Sequence, residues 1–108
     1  MKILFVENHA VFAQQVTTQF LGEHEVKIVP SLADARIQIG QTVYELILVD
    51  YDLDDGKGAE LIRELRTAGH GVRIIGVSAR EEGNKAMLEA GANAICSKMK
   101  FDHIREFI

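Results

Sequence analysis

Four branched apolar residues, Leu46-Ile-Leu-Val49, run without transition into the acid- and glycine-rich stretch Asp50-Tyr-Asp-Leu-Asp-Asp-Gly-Lys-Gly58. A run with no polar face predicts a strand buried on both sides, the kind found in parallel sheets covered by helices. In open sheets of that type the loops at the carboxyl ends of the strands form the ligand crevice. Asp50 therefore stands where such folds do their chemistry.

The rest of the chain repeats the pattern of strand, polar loop and helix. Lys2 to Val6 is an apolar run ending in Glu7-Asn8-His9, and between Val11 and Leu21 the residues Phe12, Val16 and Phe20 recur every four positions up to the stop at Gly22. Glu25 to Val29 predicts a second strand before Pro30. Ser31, with Asp34 three positions on, resembles a capping box for a helix carrying Leu32, Ala35 and Ile39 and ended by Gly40. Leu61, Ile62, Leu65 and Ala68 share one helical face that stops at Gly69-His-Gly71. Val72 to Val77 is a fourth strand ending at Ser78, Glu81 to Ala90 a helix with Gly91 beyond it, and Asn93 to Ser97 a fifth strand ending at Lys98. Phe101, Ile104, Phe107 and Ile108 open a fifth helix.

This alternation predicts one α/β domain over residues 1–108, a doubly wound five-stranded parallel sheet with helices on both faces. Right-handed crossovers favour the flavodoxin-like order 2-1-3-4-5. Only about two turns of the last helix precede the final residue, so truncation of a longer protein within that helix is one expectation.

Composition removes several classes of function. Twelve basic against sixteen acidic residues, a net charge of -4 and no basic run argue against direct binding of nucleic acid or an anionic membrane. The single Cys96 excludes an internal disulfide, and no stretch is long and apolar enough to span a bilayer, so a cytoplasmic location is expected. His9, His24, His70 and His103 lack metal-ligand spacing and read as surface or rim residues.

Four strands deliver polar groups to one edge: Glu7 and Asn8 after the first, Asp50 at the third, Ser78 after the fourth, Lys98 after the fifth. In the expected strand order they converge. Asp50 is a carboxylate nucleophile able to take a phosphoryl group as an acyl phosphate. Glu7, Asp50 and the Asn8 carbonyl together invite Mg²⁺, a hard cation with oxygen ligands. Lys98 offers a point charge to phosphoryl oxygens and Ser78 a hydroxyl donor. Ser78 equally fits a helix N-cap with Glu81 as its capping-box partner.

With these residues in place the whole chain resembles the receiver domains (CheY-like) of bacterial two-component response regulators. The matching motifs are Ile3-Leu-Phe-Val-Glu-Asn-His9, Val49-Asp50 with Gly58 eight residues on, Val77-Ser78-Ala79, and Ala90-Gly-Ala92 leading to Ser97-Lys98 and Phe101. The resemblance implies a phosphoacceptor module of a phosphorelay: Mg²⁺-dependent transfer from a phosphohistidine of a sensor histidine kinase, or of a phosphotransfer protein, to Asp50. Ser78 and Lys98 would sense the phosphoryl group and reshape the face of the fourth helix, fifth strand and fifth helix. That face would meet a downstream protein or output domain, and a homodimer is a further expected partner state. Such a module is not an enzyme in turnover.

Three departures from the family pattern are legible. Glu7-Asn8 replaces an acidic pair, which lowers the expected metal affinity. Asp52 either restores a carboxylate to the metal ligands in partial compensation, the favoured reading, or repels the phosphoryl group and any attacking hydroxide. Met99 follows the lysine where the family has a cis proline, so a trans Lys98-Met99 bond is expected. Ile95 occupies the aromatic switch position.

Other readings compete with this one. A degenerate receiver acting by protein contact alone is favoured by Asn8, Ile95 and Met99. A haloacid-dehalogenase-like phosphatase is suggested by Asp50-Tyr-Asp52, but its acidic pair downstream of the lysine is represented only by Asp102 and Glu106. Flavin or cobalamin binding rests on fold analogy alone, and Glu7 would repel a phosphate there. Lys57 reads as a solvated charge, Cys96 as a core thiol, and Met87 and Met99 as gap-fillers or surface apolar groups.

Overall fold

The computed structural model describes all 108 residues. Five parallel strands form one sheet: β1 (Lys2–Val6), β2 (Glu25–Val29), β3 (Leu46–Asp50), β4 (Arg73–Ser78) and β5 (Ala94–Ser97). Their spatial order is β2-β1-β3-β4-β5, the flavodoxin-like order expected from the sequence. In register, Val6 stands beside Val49, Asp50 beside Val77, and Ser78 beside Ser97. The third strand is fully buried along its length, as its unbroken apolar run requires.

Strand periodicity divides the core into two layers. Ile3, Phe5, Leu46, Leu48, Ile75 and Val77 face one side, where they pack on Ala13 and Val16 of α1 (Ala10–Phe20) and on Phe101 and Ile104 near the C-terminus. Leu4, Val6, Ile47, Val49 and Ile74 face the other. That side is covered by α2 (Leu32–Gln41), α3 (Gly58–Thr67) and α4 (Glu81–Ala90). Met87 of α4 is the gap-filler there, fully buried against Gly76 of β4. Each such buried aliphatic or aromatic side chain contributes roughly 1.5–3 kcal/mol relative to exposure, so both layers are needed to hold the sheet.

Three local features differ from the expected ones. α2 runs through Gly40 to Gln41, because nothing at Gly40 forces the chain out of the helix and its carbonyls continue to find donors, Gln38 bonding Thr42 N–H at 2.9 Å. The loop after β3 contains a two-residue antiparallel hairpin, Asp52–Leu53 with Gly56–Lys57, whose turn places Gly56 at φ 150°. The C-terminal segment Lys98–Glu106 is a 3₁₀ helix kinked at Lys100, where an α-helix was expected. Its apolar residues are compatible with this: Phe101, Ile104 and Phe107 are spaced by three, and in a 3₁₀ helix residues i and i+3 eclipse on one face. Phe101 anchors the segment among Phe5, Phe12 and Phe20, with ring centroids at 5.9, 5.8 and 6.1 Å.

Every peptide bond is trans, Lys98-Met99 included, as the absence of a proline there predicts. Cys96 is buried, and burial pushes its thiol up to about 11, so it is a core thiol. No helix is long and apolar enough to cross a membrane.

Candidate functional site

The sheet brings Glu7, Asp50, Ser78 and Lys98 together at the carboxyl ends of β1, β3, β4 and β5. Glu7, Asp50 and Ser78 are 1%, 4% and 3% exposed, so their polar atoms must find partners within the protein. The Lys98 ammonium stands 2.7 Å from Glu7 Oε1 and 3.3 Å from Asp50 Oδ1. It also lies 5.0 Å from the centroid of the Phe12 ring, which holds its stem against the aromatic cluster. One cation thus serves two buried carboxylates.

The consequence appears in the titration of Asp50. Burial first, and then repulsion from the Glu7 carboxylate, push its pKa up to about 6, while Lys98 pulls it back. Asp50 Oδ1 accepts the Tyr51 N–H at 2.9 Å as well as the lysine contact, which leaves Oδ2 without a protein partner. The backbone around it has no slack. A Cβ on Gly58 would fall 2.0 Å from the Asp50 carbonyl oxygen, and Gly58 N–H bonds Tyr51 O at 2.7 Å, so only glycine lets the chain fold back so close to Asp50.

Ser78 Oγ accepts the Arg80 N–H at 3.1 Å. The expected capping box with Glu81 does not form, because α4 begins two residues later, with Arg80 as its N-cap. Asn8 turns its amide toward the hairpin, donating to Asp54 Oδ1 at 3.0 Å, while its own Oδ1 is buried without a donor.

Asp52, expected among the metal ligands, points elsewhere. Its carboxylate is held by Lys57 and by Arg80 Nη2 at 2.5 Å, and these partners, Lys57 foremost, keep its pKa below the usual carboxylate value. Lys57 is therefore an ion-pair partner where a solvated charge was expected. Both its ammonium and the Arg80 guanidinium lie over the Tyr51 ring, at 5.1 and 5.9 Å from its centroid.

In place of Asp52 the structure brings in His9. Ligand atoms of Glu7, His9 and Asp50 lie within 4.8 Å of one another. Glu7 Oε2 accepts the His9 N–H at 3.1 Å and has His9 Nδ1 at 3.2 Å. The signal for His9 was its position two residues after Glu7, where β1 turns into α1. Its lack of pairing with other histidines hid it.

The donor set fits a divalent cation. Two buried carboxylates exceed the charge of the one lysine, Glu7 Oε1 has Lys98 nearby but no aligned hydrogen bond, and Asn8 Oδ1 has no donor at all.

A five-stranded parallel sheet in this order, with acids, a hydroxyl and a lysine gathered at its carboxyl edge, defines a receiver-type α/β domain. The chain belongs to the response regulator receiver domain family, whose model matches residues 3–108. It is 35% identical over 82 residues to the two-component response regulator PhoP of Pseudomonas aeruginosa, a match covering 74% of this chain and 36% of that protein. The chain thus spans about a third of that relative. The fold is similar to that of the response regulator TrrA of Thermotoga maritima in complex with Mg²⁺-BeF, with a TM-score of 0.87, 19% identity, and 98% and 94% of the two chains covered. It is similar too to the receiver domain of a sensor histidine kinase of Pseudomonas aeruginosa with magnesium coordinated in its active-site cleft. There the TM-score is 0.86 and the identity 25%, over 98% of this chain and 92% of that one. Receiver domains are signalling modules of two-component systems, working between histidine kinases and downstream effectors.

Proposed function

We propose that this chain is a phosphoacceptor: Asp50 takes a phosphoryl group from a phosphohistidine of a sensor histidine kinase or phosphotransfer protein. The observation that carries the reading is the burial of Asp50 beside Glu7 with Lys98 as their shared counter-charge. Asp50 Oδ2, which lacks a protein partner, is the oxygen that forms the new O–P bond while the donor's N–P bond breaks and its electron pair leaves on the imidazole. Lys98 supplies positive charge to the transferring oxygens from a nearly buried position, where that charge is poorly screened. Ser78, one strand away, supplies its hydroxyl once the Arg80 N–H contact rearranges.

Glu7 and Asp50 would hold Mg²⁺ or a related divalent ion, with Asn8 Oδ1 as a neutral oxygen. When bound, that ion supplies charge screening for an anionic donor approaching two carboxylates. The reading places the chain in the cytoplasm, where its kinase partners deliver phosphoryl groups, and assigns its output to the surface formed by α4, β5 and the C-terminal 3₁₀ segment.

A second reading, a receiver acting by contact alone, is favoured by Lys98 lying against both carboxylates and by the neutral Asn8. Intact mass after incubation with acetyl phosphate, with and without Mg²⁺ and beside Asp50→Asn, separates the two. Addition of one phosphoryl group that needs both the metal and Asp50 is expected. No addition at any Mg²⁺ concentration would leave the contact-only reading standing.

A further inference from the structure

Resting on the phosphoacceptor reading, the geometry points to a more specific cation site: His9 is a nitrogen ligand beside Glu7 and Asp50, and the site prefers a first-row transition ion such as Mn²⁺ to Mg²⁺. The two oxygens of Glu7 are divided between different neighbours. Oε1 faces the Lys98 ammonium at 2.7 Å, whereas Oε2 faces His9 Nδ1 at 3.2 Å. The histidine side of Glu7 is therefore a seat separate from the one the lysine uses.

The spacing suits a shared ion. Two ligands each about 2.1 Å from one metal, at angles between octahedral and tetrahedral, stand roughly 3.0–3.4 Å apart. His9 Nδ1 and Glu7 Oε2 are 3.2 Å apart, and Asp50 completes a group within 4.8 Å. Neutral imidazole with its proton on Nε2 presents the Nδ1 lone pair to that seat. The His9 side chain is 66% exposed, so the ring is free to adjust and an ion has a path in from solvent.

Ligand chemistry then sets the preference. Mg²⁺ is strict about octahedral oxygen coordination and keeps its waters, whereas imidazole nitrogen favours transition ions. In this chain the charged oxygen expected at position 8 is the neutral Asn8, whose Nδ2 is committed to Asp54. The loss of one carboxylate weakens the site for a hard cation, and the gain of a nitrogen compensates only for ions that bind nitrogen well. Mn²⁺ is the member of the first-row series best suited to carboxylate oxygens, so it keeps Glu7 and Asp50 as ligands while, unlike Mg²⁺, it also gains from a nitrogen.

The test is binding, with no phosphoryl donor present. The full chain is titrated with Mn²⁺ and with Mg²⁺ by calorimetry, alongside His9→Ala, and the Mn²⁺-loaded wild type is examined by pulsed electron paramagnetic resonance for coupling to a directly bound nitrogen. Nitrogen coupling in the wild type is expected, with about a tenfold loss of Mn²⁺ affinity in His9→Ala and little change for Mg²⁺. Absence of nitrogen coupling, equal losses for both ions, or no binding of either would overturn the inference. The two readings fail separately. Phosphorylation of Asp50 with Mg²⁺ alone and no nitrogen coupling removes only this one, while nitrogen coupling without any phosphoryl uptake removes only the phosphoacceptor reading.

Discussion

Charge is unbalanced on one side of the Asp50 loop and balanced on the other. At the strand ends two buried acids, Glu7 and Asp50, share one lysine, whereas on the hairpin one half-exposed acid, Asp52, is shared by Lys57 and Arg80. The buried group carries surplus negative charge where little water screens it, which raises the pKa of Asp50 and makes the crevice receptive to a cation. The exposed group is balanced, since Arg80 also pairs with Glu82 at 2.9 Å, and facing solvent such ion pairs contribute at most about 1 kcal/mol. The same residue types thus do different work according to burial.

Removing the shared lysine should break the contrast most severely. Lys98→Met leaves two buried carboxylates without a counter-charge and is expected to cost about 3–5 kcal/mol in urea unfolding at pH 8. The loss should shrink at pH 5, where one carboxyl takes up a proton. A cost below about 1 kcal/mol would show that the two acids do not depend on the lysine.

Gly58→Ala should follow. Its Cβ would collide with the Asp50 carbonyl at 2.0 Å, so backbone on both sides of the loop must move, at about 3 kcal/mol by the same measurement. A near-neutral result would mean that the loop is looser than its packing.

Asp50→Asn should act in the opposite direction. The folded state holds the Asp50 proton up to a pKa of about 6, against a reference value of 3.8, so between those values the folded chain binds more protons than the unfolded one. Stability contributed by this group is therefore greatest at low pH, falls as pH rises through that window, and is lowest above it. The substitution is expected to stabilise the metal-free chain by about 1–3 kcal/mol at pH 8 and by much less at pH 4. Equal gains at both pH values would place the effect outside this titration.

Asp52→Asn should have the smallest effect, within about 1 kcal/mol at low salt and vanishing near 1 M salt, where the screening length is about 3 Å. Unfolding at two salt concentrations checks it, and a large salt-independent loss would move Asp52 into the buried class.

The sequence made the sheet legible because its strands are buried on both faces, and unbroken apolar runs such as Leu46 to Val49 have few alternatives. Strand order then brought Glu7, Asp50, Ser78 and Lys98 to one edge. What stayed hidden depends on side-chain direction at short range. Asp52 was within reach of the crevice by position, but Lys57 five residues on and Arg80 in the next βα loop draw it outward. His9, read as a rim residue, is one, and yet its ring also faces Glu7. The hairpin of Asp52–Leu53 with Gly56–Lys57 is too short to show any alternation. In the C-terminal segment, a spacing of three in so short a stretch is shared by both helix types.

The hairpin has one further consequence, through Asp55 at its turn. Asp55 Oδ1 and Oδ2 accept the backbone N–H groups of Leu32 and Ala33, at 2.9 and 3.0 Å, and so satisfy two first-turn amides of α2 that a helix leaves without internal partners. Those amides are borrowed sensors of the loop. In hydrogen–deuterium exchange they should be protected for as long as the hairpin is closed and released when it opens, so that α2 and the segment after Asp50 open together as one cooperative unit.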